Sequence, residues 1–331
     1  MTLKKVELHV HLEGTIAPEL AHKLASRNNM TIPDGMIALD GRRYLSDDFL
    51  HFLKVYDALA ALIKKPQDYY DVTYDYLRRN ADEGAIYIEM MYSPDHAELS
   101  SGIPSIEHLW AIQQAVDDAR DKHTIEGRII ITAVRHFGAE SAEKVAKNAA
   151  VDAQKIECVN GFGLGGDEAG FPPRLFTKAY HIAADAGLSC TVHAGEMAGP
   201  EGMNEAMDHL PIQRIGHGVR GIESLDTLKR VRDQGIALEL CPSSNVFLGL
   251  YPSIEEHPLP KILETGVQIS INSDDPPFMD TTLATEYERV QKTFAFSDKQ
   301  MNEISLMAID AAFIDAKLKK KLRNRILTTG E

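Results

Sequence analysis

Short apolar segments alternate with longer amphipathic segments along most of this chain. The apolar segments are bounded by turn-forming residues and have the length of buried parallel strands, whereas the segments between them have the spacing of helices. Repeated βα units form a parallel sheet, and eight of them predict a closed (β/α)8 TIM barrel of the α/β class. The predicted strands lie near residues 6–10, 85–92, 128–134, 161–164, 189–193, 214–217, 237–240 and 268–271.

The interval between the first two predicted strands is long, at about 75 residues, and predicts extra helices inserted after the first strand. Such an insertion would lie over the mouth of the barrel. An amphipathic helix is predicted within it, because four apolar residues have helical spacing after the N-cap-like sequence Ser46-Asp47-Asp48. A stripe of this kind usually packs into the core, but its place in the first βα connection also allows a hydrophobic lid over a substrate. The four residues are Phe49, Phe52, Leu53 and Tyr56.

The composition is that of a globular protein and excludes several function classes. Hydrophobic residues make up 44% and charged residues 25% of the 331 residues, which argues against disorder, collagen-like repeats and coiled coils. Lys and Arg number 35 against 49 Asp and Glu, so the net charge of −14 repels nucleic acid and anionic membranes. No repeat, low-complexity tract or long linker divides the sequence. We therefore expect a single domain, 1–331, with no protein partner implied.

The cysteines and the N-terminal sequence indicate a cytoplasmic protein. Cys158, Cys190 and Cys241 are too few and too scattered for a disulfide framework or a zinc ribbon, so we expect buried thiols in a reducing compartment. The N-terminal sequence lacks an apolar stretch of signal-peptide length, and no segment approaches 18 consecutive apolar residues. We therefore expect neither export by a signal peptide nor a transmembrane helix.

Histidines stand where predicted strands end. His9 and His11 alternate in the first strand, so both imidazoles should face the same side. His193 ends the fifth predicted strand, and Glu196 follows after the small Ala194-Gly195 pair. Catalytic groups of (β/α)8 barrels lie at the carboxyl ends of the strands, so these side chains should meet, and a partly desolvated Glu196 could act as an acid.

The sixth and eighth predicted strands end in the same way. His217 lies between two glycines, and Asp274 and Asp275 follow the eighth strand directly. Two adjacent carboxylates repel each other unless they share a cation or a donor. Three histidines and an aspartate from these strand ends would form a site suited to one zinc ion, with iron(II) or manganese as alternatives. A metal ion in such a site would lower the pKa of a bound water molecule towards about 7.

Six motifs in this order closely resemble those of the adenosine deaminase family, within the metal-dependent amidohydrolases. They are VELHVHLEG, GLGGDE, HAGE, GHG, CPSSN and INSDDP, and they extend over residues 6–276. The resemblance implies a (β/α)8 aminohydrolase that removes the 6-amino group of a purine as ammonia. It also implies a role in purine metabolism or salvage and a small purine as the binding partner.

The resemblance also implies roles for individual residues. The metal ligands would be His9, His11, His193 and Asp274. Glu196 would give a proton to purine N1, and Asp275 would be the acceptor facing N7. His217 would orient or deprotonate the attacking water and stabilise the developing alkoxide. The substrate contacts would be His11, Glu13, Asp275 and the backbone N–H of Gly166.

Glu13 departs from the pattern of the adenosine deaminases, which usually have aspartate at this position as a contact to the ribose 5′-hydroxyl. Adenine deaminases and aminofutalosine-type deaminases of the family often have glutamate or another residue there. The sequence Gly166-Asp167-Glu168 keeps the form usual in the nucleoside branch. We therefore expect adenosine or 2′-deoxyadenosine as the substrate, with adenine or an aminofutalosine-type nucleoside as the alternatives.

Two other function classes compete with this interpretation. A non-catalytic metal- or purine-binding barrel would lack a reacting residue, but every position that the chemistry needs is filled. A metal-dependent hydrolase of amides or phosphoesters gives no role to Glu196 and Asp275 together. Both residues suit a heterocycle with nitrogens on either side of its amino carbon, so we expect a deaminase.

Overall fold

The computed structural model describes residues 3–46 and 49–328, and its elements alternate between strands and helices. The strands are β1 (Lys5–Glu7), β2 (Ala85–Tyr92), β3 (Glu126–Val134), β4 (Val159–Gly165), β5 (Ser189–Ala194), β6 (Arg214–His217), β7 (Ala237–Leu240) and β8 (Gln268–Ile271). The helices are α1 (Pro18–Arg27), α2 (Phe49–Ala60), α3 (Pro66–Asp82), α4 (Pro94–Ser101), α5 (Ser105–His123), α6 (Ala139–Asp152), α7 (Thr177–Asp185), α8 (Pro200–His209), α9 (Leu225–Asp233), α10 (Pro242–Phe247), α11 (Leu259–Glu264), α12 (Leu283–Thr293), α13 (Asp298–Ala311) and α14 (Ala316–Leu327).

The eight strands form one parallel sheet in which each strand pairs with the next. The sheet curves until its first and last strands meet. The Leu8 N–H donates to Asn272 Oδ1 at 2.8 Å, and the His11 N–H donates to the Asp274 carbonyl at 3.0 Å. These bonds nearly close the barrel, so the predicted (β/α)8 fold is confirmed.

The first strand is shorter than the sequence predicts. β1 ends at Glu7, whereas the prediction extended it to Val10; beyond it, Val10 pairs with Asp274 and His11 with Met91 as isolated bridges. The ladder stops because the Leu8 N–H binds a side-chain amide instead of a strand carbonyl. His9 and His11 therefore lie just beyond the strand, at the rim of the barrel.

The described part of the long first connection contains the helices α1 to α3, which confirms the extra helices predicted there. Helix α2 lies where the amphipathic helix was predicted and packs against the short helical turn Glu13–Thr15. Leu53 of the predicted stripe is exposed, because the buried face of α2 instead runs through Phe52, Val55 and Leu59. Its proposed N-cap includes Asp47 and Asp48, which lie outside the described residues. The first βα connection therefore places an apolar helix beside the rim that carries the candidate site.

The barrel interior contains a buried ion network beneath the rim. The Arg214 guanidinium donates to Glu89 Oε2 and Glu239 Oε1, both at 2.5 Å, and lies 3.5 Å from the ring centroid of Phe313. A buried cation needs such partners because desolvation otherwise makes it unfavourable. The network supports the rim from below, since Glu239 also contacts His9.

The three cysteines agree with the prediction of buried thiols. Cys158, Cys190 and Cys241 are free and buried. In the part of the chain that the structure describes, no helix is long and apolar enough to cross a membrane.

Candidate active site

Four histidines and an aspartate meet at the carboxyl end of the barrel. His11 Nε2 lies 3.3 Å from His193 Nε2, and Asp274 Oδ1 lies 3.4 Å from His11 Nε2 and 3.5 Å from His9 Nε2. The His217 ring centroid is 4.7 Å from that of His9. The four residues that the sequence suggests as metal ligands are thus brought together by the fold.

The donor atoms have the spacing that one small metal ion requires. Four ligands about 2.1 Å from a tetrahedral zinc ion lie about 3.4 Å from one another, close to the separations among the His11, His193, His9 and Asp274 atoms. His9 Nε2 is buried and has no hydrogen-bond partner among the described residues. Imidazoles and a carboxylate suit zinc, so these residues could hold the metal ion that the family implies.

Two of these histidines are oriented from behind. His9 Nδ1 lies 2.7 Å from Glu239 Oε2, and His193 Nδ1 lies 3.0 Å from the Leu164 carbonyl oxygen. Such contacts fix the tautomer of a metal-binding histidine and direct its other nitrogen to the metal. Burial lowers the pKa of His9, but its close contacts with the Asp274 and Glu239 carboxylates, and their charges, outweigh burial and raise the pKa to about 10. The site therefore favours a cation.

Asp274 and His217 have unusual backbone conformations. Their φ angles are 63° and 58°, in the left-handed region that costs a non-glycine residue about 1–3 kcal/mol. The Asp274 N–H donates to the His9 carbonyl at 3.3 Å, and the N–H of the preceding residue, Ser273, donates to Glu7 Oε1 at 2.8 Å. These bonds hold the loop after β8 in the conformation that places Asp274 among the histidines.

Asp275 lies beside Asp274, and one of its carboxylate oxygens lies within 4.8 Å of donor atoms of Asp274 and His11. Its Oδ1 is buried and has no hydrogen-bond partner in the described parts of the chain. A Cβ atom at Gly14 would lie 1.8 Å from that oxygen, so only glycine permits this approach. Burial and the charge of Asp274 raise the pKa of Asp275 well above its ordinary value, which leaves a polar carboxyl group available to a ligand.

Glu196 and His217 form a second polar pair at the rim. Glu196 Oε1 lies 3.3 Å from His217 Nδ1 but makes no hydrogen bond to a described residue. Burial, with the charges of Asp274 and Glu168, raises the pKa of Glu196 well above its ordinary value. Burial also lowers the pKa of His217 to about 3. The pair can therefore offer a protonated acid and a neutral imidazole at the same time.

The remaining candidate substrate residues lie at the same rim. Gly166 directly follows β4 and has φ +97°, a conformation that glycine adopts without strain. Glu13 is buried in the turn after β1, and its Oε1 accepts a hydrogen bond from the Tyr69 hydroxyl at 2.8 Å. Burial raises the pKa of Glu13. This carboxyl group is therefore held by α3, at the edge of the site.

Residues behind the site were missed by sequence reasoning. Glu7 lies in β1, Glu89 in β2 and Glu239 in β7, all fully buried, whereas Glu168 follows β4. An acidic residue inside an apolar strand is itself a signal, because burial of an unpaired carboxylate is costly. Glu168 gives no such signal, since it follows a glycine-rich turn.

Cys241 lies near the histidines without joining the candidate metal ligands. Its sulfur could reach a cation together with His9, His217 and Asp274, because their donor atoms lie within 4.8 Å of one another. Burial and nearby carboxylates, Asp274 first, raise the pKa of its thiol well above the ordinary value. A cysteine binds a metal ion as the thiolate, and the raised pKa of Cys241 disfavours that form. The set of imidazoles and a carboxylate therefore fits the ion better.

Aromatic side chains of α2 cover the loop that carries the two aspartates. The Phe52 ring centroid lies 5.2 Å from that of Phe278 and 6.2 Å from that of Phe247, and the Tyr56 centroid lies 5.9 Å from that of Phe278. Phe278 follows Asp275 in the same loop, and its N–H donates to the Asp275 carbonyl at 3.0 Å. This arrangement favours the lid interpretation of α2, although Phe52 is also buried.

Substitution of Phe52 by alanine separates the two interpretations of α2. If Phe52 shapes the roof of the site, we expect KM to rise about tenfold while metal content stays unchanged, because one well-placed apolar contact provides roughly 1–3 kcal/mol of discrimination. Steady-state kinetics with metal analysis measures both. Leu53→Ala, on the more exposed side of α2, is the matched control. An unchanged KM with a lowered Tm would make Phe52 a packing residue only.

Comparison with known proteins gives a consistent assignment. The family model described as adenosine deaminase matches residues 4–329. A curated relative from Rhizobium meliloti (strain 1021), named adenine deaminase, is 40% identical over 320 residues, or 97% of each chain. The crystal structure of adenine deaminase from Arthrobacter aurescens is 30% identical, with a TM-score of 0.89 and 98% of each chain covered. A crystal structure of an amidohydrolase from Burkholderia ambifaria with bound zinc is 28% identical, with a TM-score of 0.89, covering 99% of this chain and 90% of that one.

Proposed function

This chain belongs to the adenosine deaminase family and is an aminohydrolase, and we propose that it hydrolyses the 6-amino group of adenine. The products are hypoxanthine and ammonia. The observation that carries the choice of substrate is 40% identity over 97% of the chain to a relative named adenine deaminase. Adenosine was the main expectation from the sequence and adenine the alternative, and the comparisons favour the alternative.

The surroundings of Glu13 support the same choice. In adenosine deaminases the corresponding residue is usually an aspartate that contacts the ribose 5′-hydroxyl. Here Glu13 is one methylene longer than aspartate and is 3% exposed, and its Oε1 already accepts the Tyr69 hydroxyl. A ribose hydroxyl group would have to compete with Tyr69 for this oxygen, whereas a free base requires no such contact.

We assign one zinc ion to His9, His11, His193 and Asp274, with iron(II) or manganese as the alternatives for metal analysis. Their donor spacing and the unpartnered His9 Nε2 support this assignment. When bound, such an ion polarises a water molecule and lowers its pKa towards neutrality. The similar amidohydrolase from Burkholderia ambifaria has zinc bound.

The other rim residues bind and activate the purine in this proposal. The backbone N–H of Gly166 donates to N3, and His11 contributes to the wall of the substrate site. Asp275 faces N7, but as a donor and not as the acceptor expected from the resemblance. Burial and the charge of Asp274 raise its pKa, so its protonated carboxyl group can donate a hydrogen bond to that nitrogen. Glu13 closes the edge where a nucleoside would carry its ribose.

Glu196 and His217 move the protons. Glu196 gives its proton to N1 while the oxygen of water adds to C6, so the ring accepts the electron pair. His217 takes one proton from that water and passes it to the amino nitrogen. The C6–N bond breaks and ammonia leaves, while the remaining hydroxyl proton restores the Glu196 carboxyl group. The proton first given to N1 stays in hypoxanthine.

A comparison of substrates tests the proposal. We expect kcat/KM for adenine to exceed that for adenosine and 2′-deoxyadenosine by on the order of 10²-fold or more, because the ribose 5′-hydroxyl would have to compete with Tyr69 for Glu13 Oε1. Ammonia release from zinc-loaded protein, with an aminofutalosine-type nucleoside included, provides the measurement. Glu196→Gln protein purified in the same way controls for deaminases of the expression host.

The ranking of substrates decides among the candidates. If adenosine or the aminofutalosine-type nucleoside has the highest kcat/KM, then Glu13 must turn towards the sugar and adenine is not the substrate. If no purine releases ammonia from the metal-loaded protein, the deaminase assignment itself fails.

A further inference from the structure

The segment that carries Glu196 is bound through its backbone to one carboxylate. Glu168 Oε1 accepts the Gly195 N–H at 2.5 Å, and Glu168 Oε2 accepts the N–H groups of Glu196, Met197 and Ala198 at 3.1, 2.7 and 3.0 Å. Four successive N–H groups therefore converge on a single side chain. Hydrogen bonds to a charged acceptor are about twice as strong as neutral ones, so this carboxylate fixes the path of the loop.

Glu168 joins two neighbouring strand ends of the barrel. It follows β4 in the chain, whereas residues 195–198 directly follow β5. The Glu168 side chain is almost fully buried, at 4% exposed. Without the carboxylate, these N–H groups would lose a common acceptor, and the loop would no longer be tied to β4.

The opposite side of the same turn is held by Arg135. One of its terminal guanidinium nitrogens donates to the His193 carbonyl, and the other donates to the Phe171 carbonyl at 2.6 Å. Thus Arg135 binds the carbonyl before the turn and Glu168 binds the N–H groups after it. The turn itself passes through Gly195, whose φ is 75°.

The Glu196 side chain has no comparable support. Its Oε1 makes no hydrogen bond to any described residue, although it lies 3.3 Å from His217 Nδ1. Its position is therefore set by its backbone. Glu168 holds the four N–H groups of that backbone, and Arg220 donates to the Gly195 and Met197 carbonyls, both at 2.9 Å. Catalytic groups must be held within about 0.5 Å of their productive position, so a loosened loop would misplace the acid.

We propose that Glu168 is a positioning residue that holds the Gly195–Ala198 backbone so that Glu196 points at the purine. Glu168 does not touch the substrate and does not join the candidate metal ligands. This inference rests on the proposed role of Glu196 as proton donor. It predicts that Glu168 and Glu196 act as one unit.

A double-mutant cycle tests this dependence. Glu168→Gln keeps the size of the side chain but presents an amide NH2 group to the N–H donors, so we expect kcat to fall about 10–100-fold. We expect metal content to change by less than about threefold, since, among the described residues, Glu168 makes no hydrogen bond to any of the candidate metal ligands. In Glu168→Gln/Glu196→Gln, kcat should be no lower than in Glu196→Gln alone, because the misplaced group is already absent.

Controls separate a positioning role from a general loss of structure. Glu205→Gln removes a nearby carboxylate that accepts the Arg174 N–H and guanidinium without touching residues 195–198, and it should keep wild-type kcat. Glu168→Asp retains the charge but has a shorter reach, so it should recover part of the activity. If Glu168→Gln does not fold, the cycle of Glu168→Asp with Glu196→Gln provides the same comparison.

The outcomes distinguish this inference from the proposed function. If Glu196→Gln has a lowered but measurable kcat and the losses multiply in the double variant, Glu168 does not act through Glu196 and the inference is overturned. If Glu196→Gln keeps the wild-type kcat, the proposed function loses its acid and the inference falls with it. Equal kcat for the double variant and Glu196→Gln, with metal content retained, confirms the inference.

Discussion

Replacement of Glu196 by glutamine is expected to lower kcat by on the order of 10²–10⁴-fold or more, the contribution typical of general acid–base groups. Glutamine has nearly the same shape and can donate a hydrogen bond to N1, but it cannot transfer a proton. Burial, with the charges of Asp274 and Glu168, raises the pKa of Glu196, so the wild-type side chain can carry that proton. Single-turnover kinetics with adenine measures the chemical step directly.

Metal content and purine affinity provide the internal controls for this variant. Both should stay near the wild-type values, because Glu196 is not among the candidate metal ligands. Glu201→Gln, an exposed position at the start of α8, is the matched substitution and should leave kcat unchanged. A Glu196→Gln protein with near-normal kcat would remove Glu196 from the mechanism.

Asp274→Asn is expected to lower both metal affinity and turnover by more than about 10²-fold, because it removes the carboxylate ligand itself rather than a residue that orients one. Asp274 Oδ1 lies 3.4 and 3.5 Å from the Nε2 atoms of His11 and His9. Asparagine suits the test because it tolerates the positive φ of this position, 63°. Competition with a chelator, followed by metal analysis, gives the affinity.

A third aspartate in the same loop controls for the backbone conformation. Asp280 also has a positive φ, 50°, and is exposed, so Asp280→Asn should retain the metal and the rate. If Asp274→Asn keeps full metal occupancy and wild-type turnover, the proposed coordination sphere is wrong.

The fold was largely predictable because its signal is local. Apolar segments of strand length separated by helical patterns recur eight times, and seven of the eight predicted strands overlap the observed ones for most of their length. The exception is the end of β1, where the Asn272 side chain binds the Leu8 N–H. That contact joins opposite ends of the chain, so no local pattern could reveal it.

The choice of substrate was less predictable from the sequence. Glu13 was recognised as a departure from the adenosine deaminases, but its contact with Tyr69 depends on how α3 packs over the turn after β1. The comparisons with adenine deaminases then favoured the alternative to adenosine. Glu13 alone indicates that the substrate specificity differs from that of the adenosine deaminases, but the residues around it decide which substrate is preferred.

The sequence by itself determined the barrel and the candidate reacting groups. Both can be recognised from short stretches of neighbouring residues, namely the apolar strand segments and the polar residues at their ends. Only the tertiary structure decided what holds those groups: Glu239 behind His9, Glu7 behind Ser273, and Glu168 behind Glu196. These carboxylates come from strands and loops far from their partners in sequence. Their pairing depends on burial and on the adjacency of parallel strands, and both exist only after the barrel has closed.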